Sequence, residues 1–401
     1  MAAGTGSTQG PPARPGSQGA LRGRNIQRVV STLLTSGPST QADLARLTGL
    51  SGATVSSIVR GLVDAKIATV SPTTSSGRRA VLVRLVGRGA VAVGIDIGRR
   101  HVRVMLVGLD HEVIAERLVA LPQGHEATET IDTAARLLED VLAAEGLAPD
   151  AILGVGAGIP GPIDSRTGTV VDGAILPEWV GLDLRSALEE RIGLPVHVDN
   201  DANLGALAQV TWSPGPAPRT MVFLKIGTGI GCGLIIGGEV FYGHVGVAGE
   251  IGHTPLTADG PSCRCGNNGC LELYASTSAM IRRLTPEGER PIGTSAIVRN
   301  ALAGDVPTLR VLDDAGAAVG RVLAGVANLI NPEAIVLGGP LAELGELLLD
   351  PVRRALVRFA TPLVATTTTV TMSAFGERAE ALGAAALVLR QPDLPQALQL
   401  E

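Results

Sequence analysis

Two neighbouring stretches, GTGIGCGLIIGGEVFYGHVGVAGEIGH (227–253) and CRCGNNGCLE (263–272), carry most of what this chain discloses. The first is an apolar run broken by glycines that ends in Glu250 and His253; the second packs Cys263, Cys265 and Cys270 into eight residues. Backbone amides of the turn Gly227-Thr228-Gly229-Ile230-Gly231 can cradle phosphate, because glycine places no Cβ in the way. His253 with the three cysteines supplies one imidazole and three thiolates, a tetrahedral set that zinc favours. Four protein ligands leave no position for water, so such a site is structural. The same side chains without metal would be a reduced thiol cluster, and spacing alone does not separate the two. Cys232 stands apart.

Working outward, the glycine-rich run belongs to a series of short strands, MVFLKIG (221–227), GCGLIIGG (231–238) and EVFYG (239–243). A similar series occurs earlier: VAVGIDIG (91–98), HVRVMLVGLD (101–110) and EVIAERLVAL (112–121), with the makings of an antiparallel meander. A helix over 128–145, the strand AILGVGAGI (151–159), the turn PGPID, a helix over 184–191 and the strand LPVHVDND (194–201) follow. Two β-rich openings, each ending in glycines and followed by helices, predict a two-lobed α/β protein with a cleft. Asn200 and Asp201 fall at the end of an apolar strand just before a helix, where Asp201 can serve a ligand or cap the helix.

The N-terminal ninety residues differ in character. They hold eleven Lys or Arg against two acids, a net +9, whereas the remaining 311 residues carry −14. That asymmetry suggests nucleic acid or another anionic partner. Residues 1–20, rich in Gly, Pro, Ser and Gln, read as a disordered tail. From Arg24, Ile26, Val29, Val30, Leu33 and Leu34 recur at helical spacing up to Gly37-Pro38. QADLARLTG (41–49) makes a second helix with Leu44 and Leu47 inward, and Leu50-Ser51-Gly52 a turn. ATVSSIVRGLVDAK (53–66) makes a third, with Thr54, Ser56, Ser57 and Arg60 on its polar face. IATV and AVLVRL are strand-like and bracket SPTTSSGRR, read as a flexible basic loop carrying Arg78 and Arg79. Three helices and a basic wing predict a winged helix-turn-helix over 21–88, with small polar residues near base edges and arginines on phosphates. A three-helix protein-interaction module is the alternative. Gly87-Arg88-Gly89-Ala90 reads as the hinge to the α/β unit.

The motifs quoted above give residues 91–390 a resemblance to the ROK family of sugar kinases and sugar-responsive repressors, and the winged helix resembles its regulator branch. The resemblance implies an actin-like, ribonuclease-H-like fold with lobes at about 91–215 and 216–375. It also implies a C-terminal helix (377–390) returning to the first lobe, and a tail at 391–401. It implies structural zinc on His253, Cys263, Cys265 and Cys270, and sugar contacts from Asn200, Asp201, Glu250, His253 and Glu272. Phosphate or nucleotide contacts would come from Asp96, Gly98, Gly227, Thr228, Gly229, Gly231, Gly338 and Gly339. In the family's kinases the acid matching Asp201 is the general base. One element departs from the pattern: kinases continue from Asp-x-Gly with Gly and Thr, whereas this chain reads Asp96-Ile97-Gly98-Arg99-Arg100-His101. Phosphoryl transfer depends on positioning and charge, so the change can remove catalysis while leaving sugar binding whole; alternatively, Arg99 itself binds phosphate.

A mean hydropathy of +0.30 raises the membrane question, but apolar runs such as 151–163 and 226–238 fall short of the roughly 20 residues of a spanning helix. No apolar signal segment opens the chain, which predicts a cytoplasmic protein. Only Lys66 and Lys225 are lysines beside thirty-one arginines, a bias read as base composition. The expectation is a sugar-responsive repressor that binds operator DNA and a sugar or sugar phosphate as a homodimer or homotetramer. An ATP- and Mg-dependent sugar kinase is the alternative, and a sugar-binding protein that recruits a transport component is a third reading.

Overall fold

The computed structural model describes residues 18–75, 77–87, 90–164, 167–171, 176–213 and 217–391. Residues 1–17 and 392–401 of the expected tails, and Arg88 and Gly89 of the expected hinge, lie outside these. The chain divides into two compact units. One comprises Met1–Ala90, Gly108–Glu112 and Arg390–Glu401; the other comprises Val91–Val107 and Val113–Leu389. No described helix is long and apolar enough to cross a membrane.

In the first unit, α1 (Gln18–Ser36) starts upstream of the predicted Arg24 and buries Ile26, Val29, Val30 and Leu33. After β1 (Ser39–Thr40), α2 (Gln41–Thr48) opens on Thr40, whose Oγ1 accepts the Asp43 N–H at 3.1 Å, and closes on Gly49 at φ +68°. α3 (Gly52–Asp64) opens on Ser51, whose Oγ accepts the Thr54 N–H at 3.1 Å. Each such cap stabilises its helix by about 1 kcal/mol. Leu44 is buried as predicted, but Leu47 is 50% exposed: the inward line of α2 runs from Leu44 to Thr48, one full turn, and turns Leu47 outward. β2 (Ala68–Ser75) and β3 (Arg78–Leu85) complete a sheet of order β1-β3-β2. Their pairing continues to Ser75 opposite Arg78, so most of the predicted loop SPTTSSGRR is strand. The β-branched Thr73 and Thr74 suit the strand, and Pro72 is tolerated because β2 lies at the sheet edge.

The second unit is two-lobed. The first lobe has β4 (Val91–Gly98), β5 (His101–Gly108), β6 (Val113–Ala120), α4 (Ala127–Glu145) and β7 (Ile152–Ile159). The small hairpin β8 (Ile163–Asp164) and β9 (Thr169–Val170), then α5 (Leu184–Ile192), β10 (Val196–Asn200) and α6 (Asp201–Trp212) complete it. The second lobe opens with β11 (Thr220–Ile226), β12 (Ile230–Ile236) and β13 (Glu239–Val240), followed by α7 (Glu272–Ala275), α8 (Thr277–Leu284), α9 (Thr294–Leu302) and α10 (Val306–Ile330). β14 (Ala334–Gly338), α11 (Glu346–Phe359), α12 (Pro362–Thr367) and β15 (Thr369–Met372) end that lobe before α13 (Ala379–Leu389).

The sheets run β10-β7-β4-β5-β6 and β13-β12-β11-β14-β15. Numbered within each sheet, both have the strand order 3-2-1-4-5, the first read from β6 to β10 and the second from β13 to β15. Buried Val, Ile and Leu of β4, β5 and β7 face α4 and α5 in one core, and β11, β14 and α10 form the other. α13 lies on β4, β7 and α6. Its backbone comes so near that a Cβ at Gly94 or Gly156 would strike the carbonyl of Ala381 or Ala384, and one at Gly383 that of Leu204.

Candidate functional site

The ends of β4, β10 and β11 and the turns that follow them line one cavity of about 480 Å³ in the second unit. β10 delivers Asp199, Asn200 and Asp201 in succession. Asn200, not Asp201, caps α6: its Oδ1 accepts the Ala202 N–H at 2.9 Å, and its Nδ2 donates to the Gly161 carbonyl at 2.8 Å. Much of its amide is thus committed to structure, although the residue still lines the cavity. Asp199 is braced by Tyr242 Oη at 2.7 Å, Asn203 Nδ2 at 3.0 Å and the Asn200 N–H at 2.7 Å. Burial nevertheless pushes its pKa above the ordinary carboxylate value, against those hydrogen bonds.

Asp201, freed from capping, meets a lysine. Lys225 Nζ lies 2.9 Å from Asp201 Oδ2 and 3.0 Å from Glu380 Oε1, at the junction of β11 and α13. Burial opposes the charge on Lys225, but Asp201, Glu380 and Asp96 outweigh it and raise its pKa, holding it protonated. Burial pushes Glu380 upward even with Lys225 beside it. His101 Nε2 sits 2.8 Å from Asp96 Oδ2, its ring folded over Gly98. Burial resists ionisation of Asp96; the bond from His101 and the charge of Lys225 prevail and depress its pKa. Asp96 Oδ1 is buried with no hydrogen-bond partner among the described residues. The first glycine turn is therefore covered by an imidazole.

The second glycine turn is open to the cavity at Gly227, Thr228, Gly229 and Gly231. Glu272 braces it: Oε2 accepts the Ile230 N–H at 3.3 Å, and the same carboxylate pairs with Arg264 at 3.2 Å. Gly339, at φ +97°, forms part of the wall, whereas Gly338 lies beneath it against the Phe223 ring. Glu250 is exposed on the opposite rim.

His253 joins the rim to the cysteine cluster. Its Nε2 faces Glu250 Oε2 at 3.8 Å and its Nδ1 faces Cys263 Sγ at 3.5 Å. Ligand atoms of His253, Cys263, Cys265 and Cys270 all lie within 4.8 Å of one another. Tetrahedral zinc with bonds of about 2.3 Å separates sulfurs by about 3.8 Å, and Cys265 and Cys270 are 3.6 Å apart. The donor set and its spacing fit the metal. Cys232, buried in β12, belongs to no metal-ligand cluster among the described residues, and burial pushes its thiol up to about 12.

Residues 92–391 match the model of the ROK family. The chain belongs to the ROK family. Its xylose-repressor relatives are similar along nearly the whole chain. The xylose repressor of Bacillus subtilis is 28% identical over 91% of this chain and 94% of its own, and that of Caldicellulosiruptor bescii 29% over 93% and 97%. A ROK family transcriptional regulator homologous to the E. coli MLC protein superposes with a TM-score of 0.74 over 95% of this chain and 97% of its own, at 26% identity. ROK kinases cover less of it. The glucokinase of Streptomyces griseus, solved with glucose and AMPPNP, has a TM-score of 0.65 at 30% identity over 74% of this chain and 99% of its own.

Relative to the residues singled out from the ROK motifs, the structure gathers Asp96, Gly98, Asn200, Asp201, Gly227, Thr228, Gly229, Gly231, Glu250, His253, Glu272 and Gly339 around one cavity and leaves Gly338 outside its wall. Lys225, His101, Arg264 and Glu380 line the same cavity, and no motif in the sequence marks them. In the N-terminal unit, Ser57 and Arg60 are exposed on α3, and Thr54 and Ser56 half-buried, with Thr54 Oγ1 engaged to Ser51 Oγ at 2.8 Å. Arg78 and Arg79 are both exposed, but as neighbours on β3 they point to opposite faces of the hairpin.

Proposed function

We propose that this ROK protein is a sugar-responsive transcriptional repressor of carbohydrate metabolism, acting in the cytoplasm as a homodimer or homotetramer. The carrying observation is coverage: regulators match the chain through its winged helix (91–95%), whereas glucokinases match only the part beyond it (74–76%). In this reading α3 enters the major groove, with Thr54, Ser56 and Ser57 near base edges, while Arg60, Arg78 and Arg79 meet phosphates. The cleft holds an aldose, in keeping with the xylose repressors and with the glucose in the glucokinase relative. Asp201, Glu250, His253 and Glu272 accept or donate at its hydroxyls, and the uncommitted valences of Asn200 assist. Zinc on His253, Cys263, Cys265 and Cys270 would order the loop leading to Glu272 and fix the imidazole so that Nε2 faces the ligand. Sugar binding alters DNA affinity only if the ligand prefers one arrangement of the protein, a coupling of about 1–3 kcal/mol.

The second reading is an ATP- and Mg-dependent sugar kinase with Asp201 as base. The open Gly227–Gly231 turn and the glucokinase relatives support it. Against it stand Lys225 on Asp201, His101 on Asp96, and two arginines in the first glycine turn. The test is selection of bound duplexes from a random library, then fluorescence anisotropy on the enriched sequence with and without aldoses. Enrichment of a near-palindrome and a sugar-dependent shift are expected, with a salt slope lowered in Arg78→Ala/Arg79→Ala. Absence of enrichment together with sugar-dependent ATP consumption that Asp201→Asn abolishes would replace the repressor with the kinase.

A further inference from the structure

Asp199 is a buried carboxylate that the reading above leaves without a task. It is only 4% exposed, and it lies behind the cavity wall that Asn200 and Asp201 line. Burial penalises its charge, a penalty that an apolar side chain at this position would avoid. Its two oxygens are divided between the lobes. Oδ1 accepts the Asn200 N–H at 2.7 Å and Asn203 Nδ2 at 3.0 Å, both at the start of α6. Oδ2 accepts Tyr242 Oη at 2.7 Å, from the second lobe. One carboxylate thereby ties the segment that presents Asn200 and Asp201 to the loop 241–249.

That loop leads from β13 to Glu250 and His253, and Val247 within it lines the cavity. Its apolar side chains gain little from the core: Phe241, Val245 and Val247 are 45%, 62% and 37% exposed. Gly243, Gly246 and Gly249 all have positive φ, of +71°, +89° and +96°. Few buried contacts and such glycines give a segment low local stability. Its far end is fixed where Gly249 seats against the Cys232 carbonyl, with no room for a Cβ. At its neck the Ala248 N–H donates to the Tyr242 carbonyl at 3.2 Å, so the residue that closes the loop is also the one whose hydroxyl reaches Asp199. A hydroxyl donating to a carboxylate makes a strong hydrogen bond, and a dry surrounding strengthens it.

We propose that Asp199 and Tyr242 are positioning residues of the cleft, whose bond sets the distance between the Asn200–Asp201 wall and the wall of Val247, Glu250 and His253 without either residue touching the sugar. The proposal rests on the sugar-binding reading above. By linkage, a bond that strengthens sugar binding is itself strengthened by sugar. The Tyr242 hydroxyl therefore reports occupancy of the cleft from behind its wall. Tyr242 and Tyr274 are the chain's two tyrosines, which makes that report readable.

Full-length, zinc-loaded protein would be titrated calorimetrically with glucose, xylose and N-acetylglucosamine, as wild type, Tyr242→Phe, Asp199→Asn and the double variant. Asparagine keeps the acceptor at Oδ1 and removes the charge that Tyr242 meets at Oδ2. Tyr242→Phe should weaken the preferred sugar about ten-fold with zinc content unchanged. Asp199→Asn should weaken it in the wild type but add less than about two-fold to the loss in Tyr242→Phe. In protein labelled with fluorotyrosine, the Tyr242 fluorine resonance, assigned by the loss of the other in Tyr274→Phe, should shift with sugar at the calorimetric midpoint. Sugar affinity in Tyr242→Phe within about two-fold of wild type, whatever its Tm, would make the bond structural only and overturn the proposal. Equal losses from Asp199→Asn with and without the tyrosine hydroxyl would overturn the pairing. A Tyr242 resonance unmoved at saturating sugar would overturn the proposal with the bond itself intact. These three outcomes leave the sugar reading standing, whereas a wild type that binds none of the sugars would overturn both.

Discussion

Replacing Lys225 by methionine keeps the volume and apolar stem of the side chain and removes one charge, leaving Asp201, Glu380 and Asp96 without their shared cation. Lys225 Nζ lies 2.9 Å and 3.0 Å from its two acids, whose side chains are only 10% and 2% exposed. At an effective dielectric of 20, each contact is worth roughly 5 kcal/mol of Coulomb attraction, and desolvation of the ammonium offsets a large part. Removing one partner of a buried pair strands the other, and the net loss is typically about 3–5 kcal/mol. For a unit of this size, about 2 °C per kcal/mol gives a Tm lowered by roughly 6–10 °C. The loss depends on pH with a definite sign. Burial already raises the pKa of Glu380 with the lysine present, and without that neighbouring cation it rises further above its unfolded value. The variant is therefore most penalised at neutral and alkaline pH and recovers as acid protonates the cluster. Calorimetric melting of wild type and Lys225→Met at pH 5 and pH 8 measures this, and Glu380→Gln added to Lys225→Met should restore part of the deficit. A gap below about 2 °C at pH 8, or one that does not narrow at pH 5, would refute the buried ion cluster.

Three further outcomes are expected. Purified protein should carry about one zinc per chain, lost together with thermal stability in Cys263→Ser; metal-free protein with unaltered sugar affinity would remove the zinc from the ordering of the cleft. Burial opposes the charge on His101, but its bond to Asp96 raises the pKa above 6.5. Its contribution is thus fully present below pH 6.5 and fades as pH rises through the higher folded value, so the Tm gap to His101→Gln should shrink from pH 6 to pH 9. Equal gaps at both pH values would place Asp96, which also feels Lys225 and Arg103, under another control. Gly383→Val should cost more than the about 1–3 kcal/mol of ordinary overpacking, because its Cβ meets the Leu204 carbonyl rather than a flexible side chain. Urea unfolding with an unchanged midpoint would contradict the helix placement.

The glycine turns, the cysteine spacing and the apolar periodicity of the winged helix are local patterns, and local patterns were legible. The doubled strand series likewise announced two lobes. Capping was undecidable between Asn200 and Asp201 from residue types, since both accept backbone N–H groups; only the backbone angles at 200 place the cap there. The rarity of lysine reads as base composition and carries no signal for Lys225. The usable signal was different: a lone charge inside MVFLKI, just before a glycine turn, must be buried with a partner. Glu380 gives the same signal in the otherwise apolar helix AEALGAAALVL. Their meeting spans residues far apart in the chain, which no local pattern encodes. The predicted loop at 71–79 erred the opposite way, its Ser, Gly and Pro content hiding Thr residues that a hairpin could pair.

The position of α13 has a consequence for biosynthesis. The sheet that begins with residue 91 is covered by a helix ending at Leu389, and Gly94, Gly156 and Gly383 are spent on making that seam narrow. As the chain emerges from the ribosome, the first lobe waits through the whole of the second with one apolar face bare. The later lobe, whose strands and helices are contiguous from 220 to 372, can close sooner. A frameshift or proteolytic cut anywhere between the two would yield a nascent sheet without its cover, a natural client for chaperones and degradation. Synthesis as far as α13 thus doubles as a quality check: a chain that stops short of it leaves this sheet uncovered.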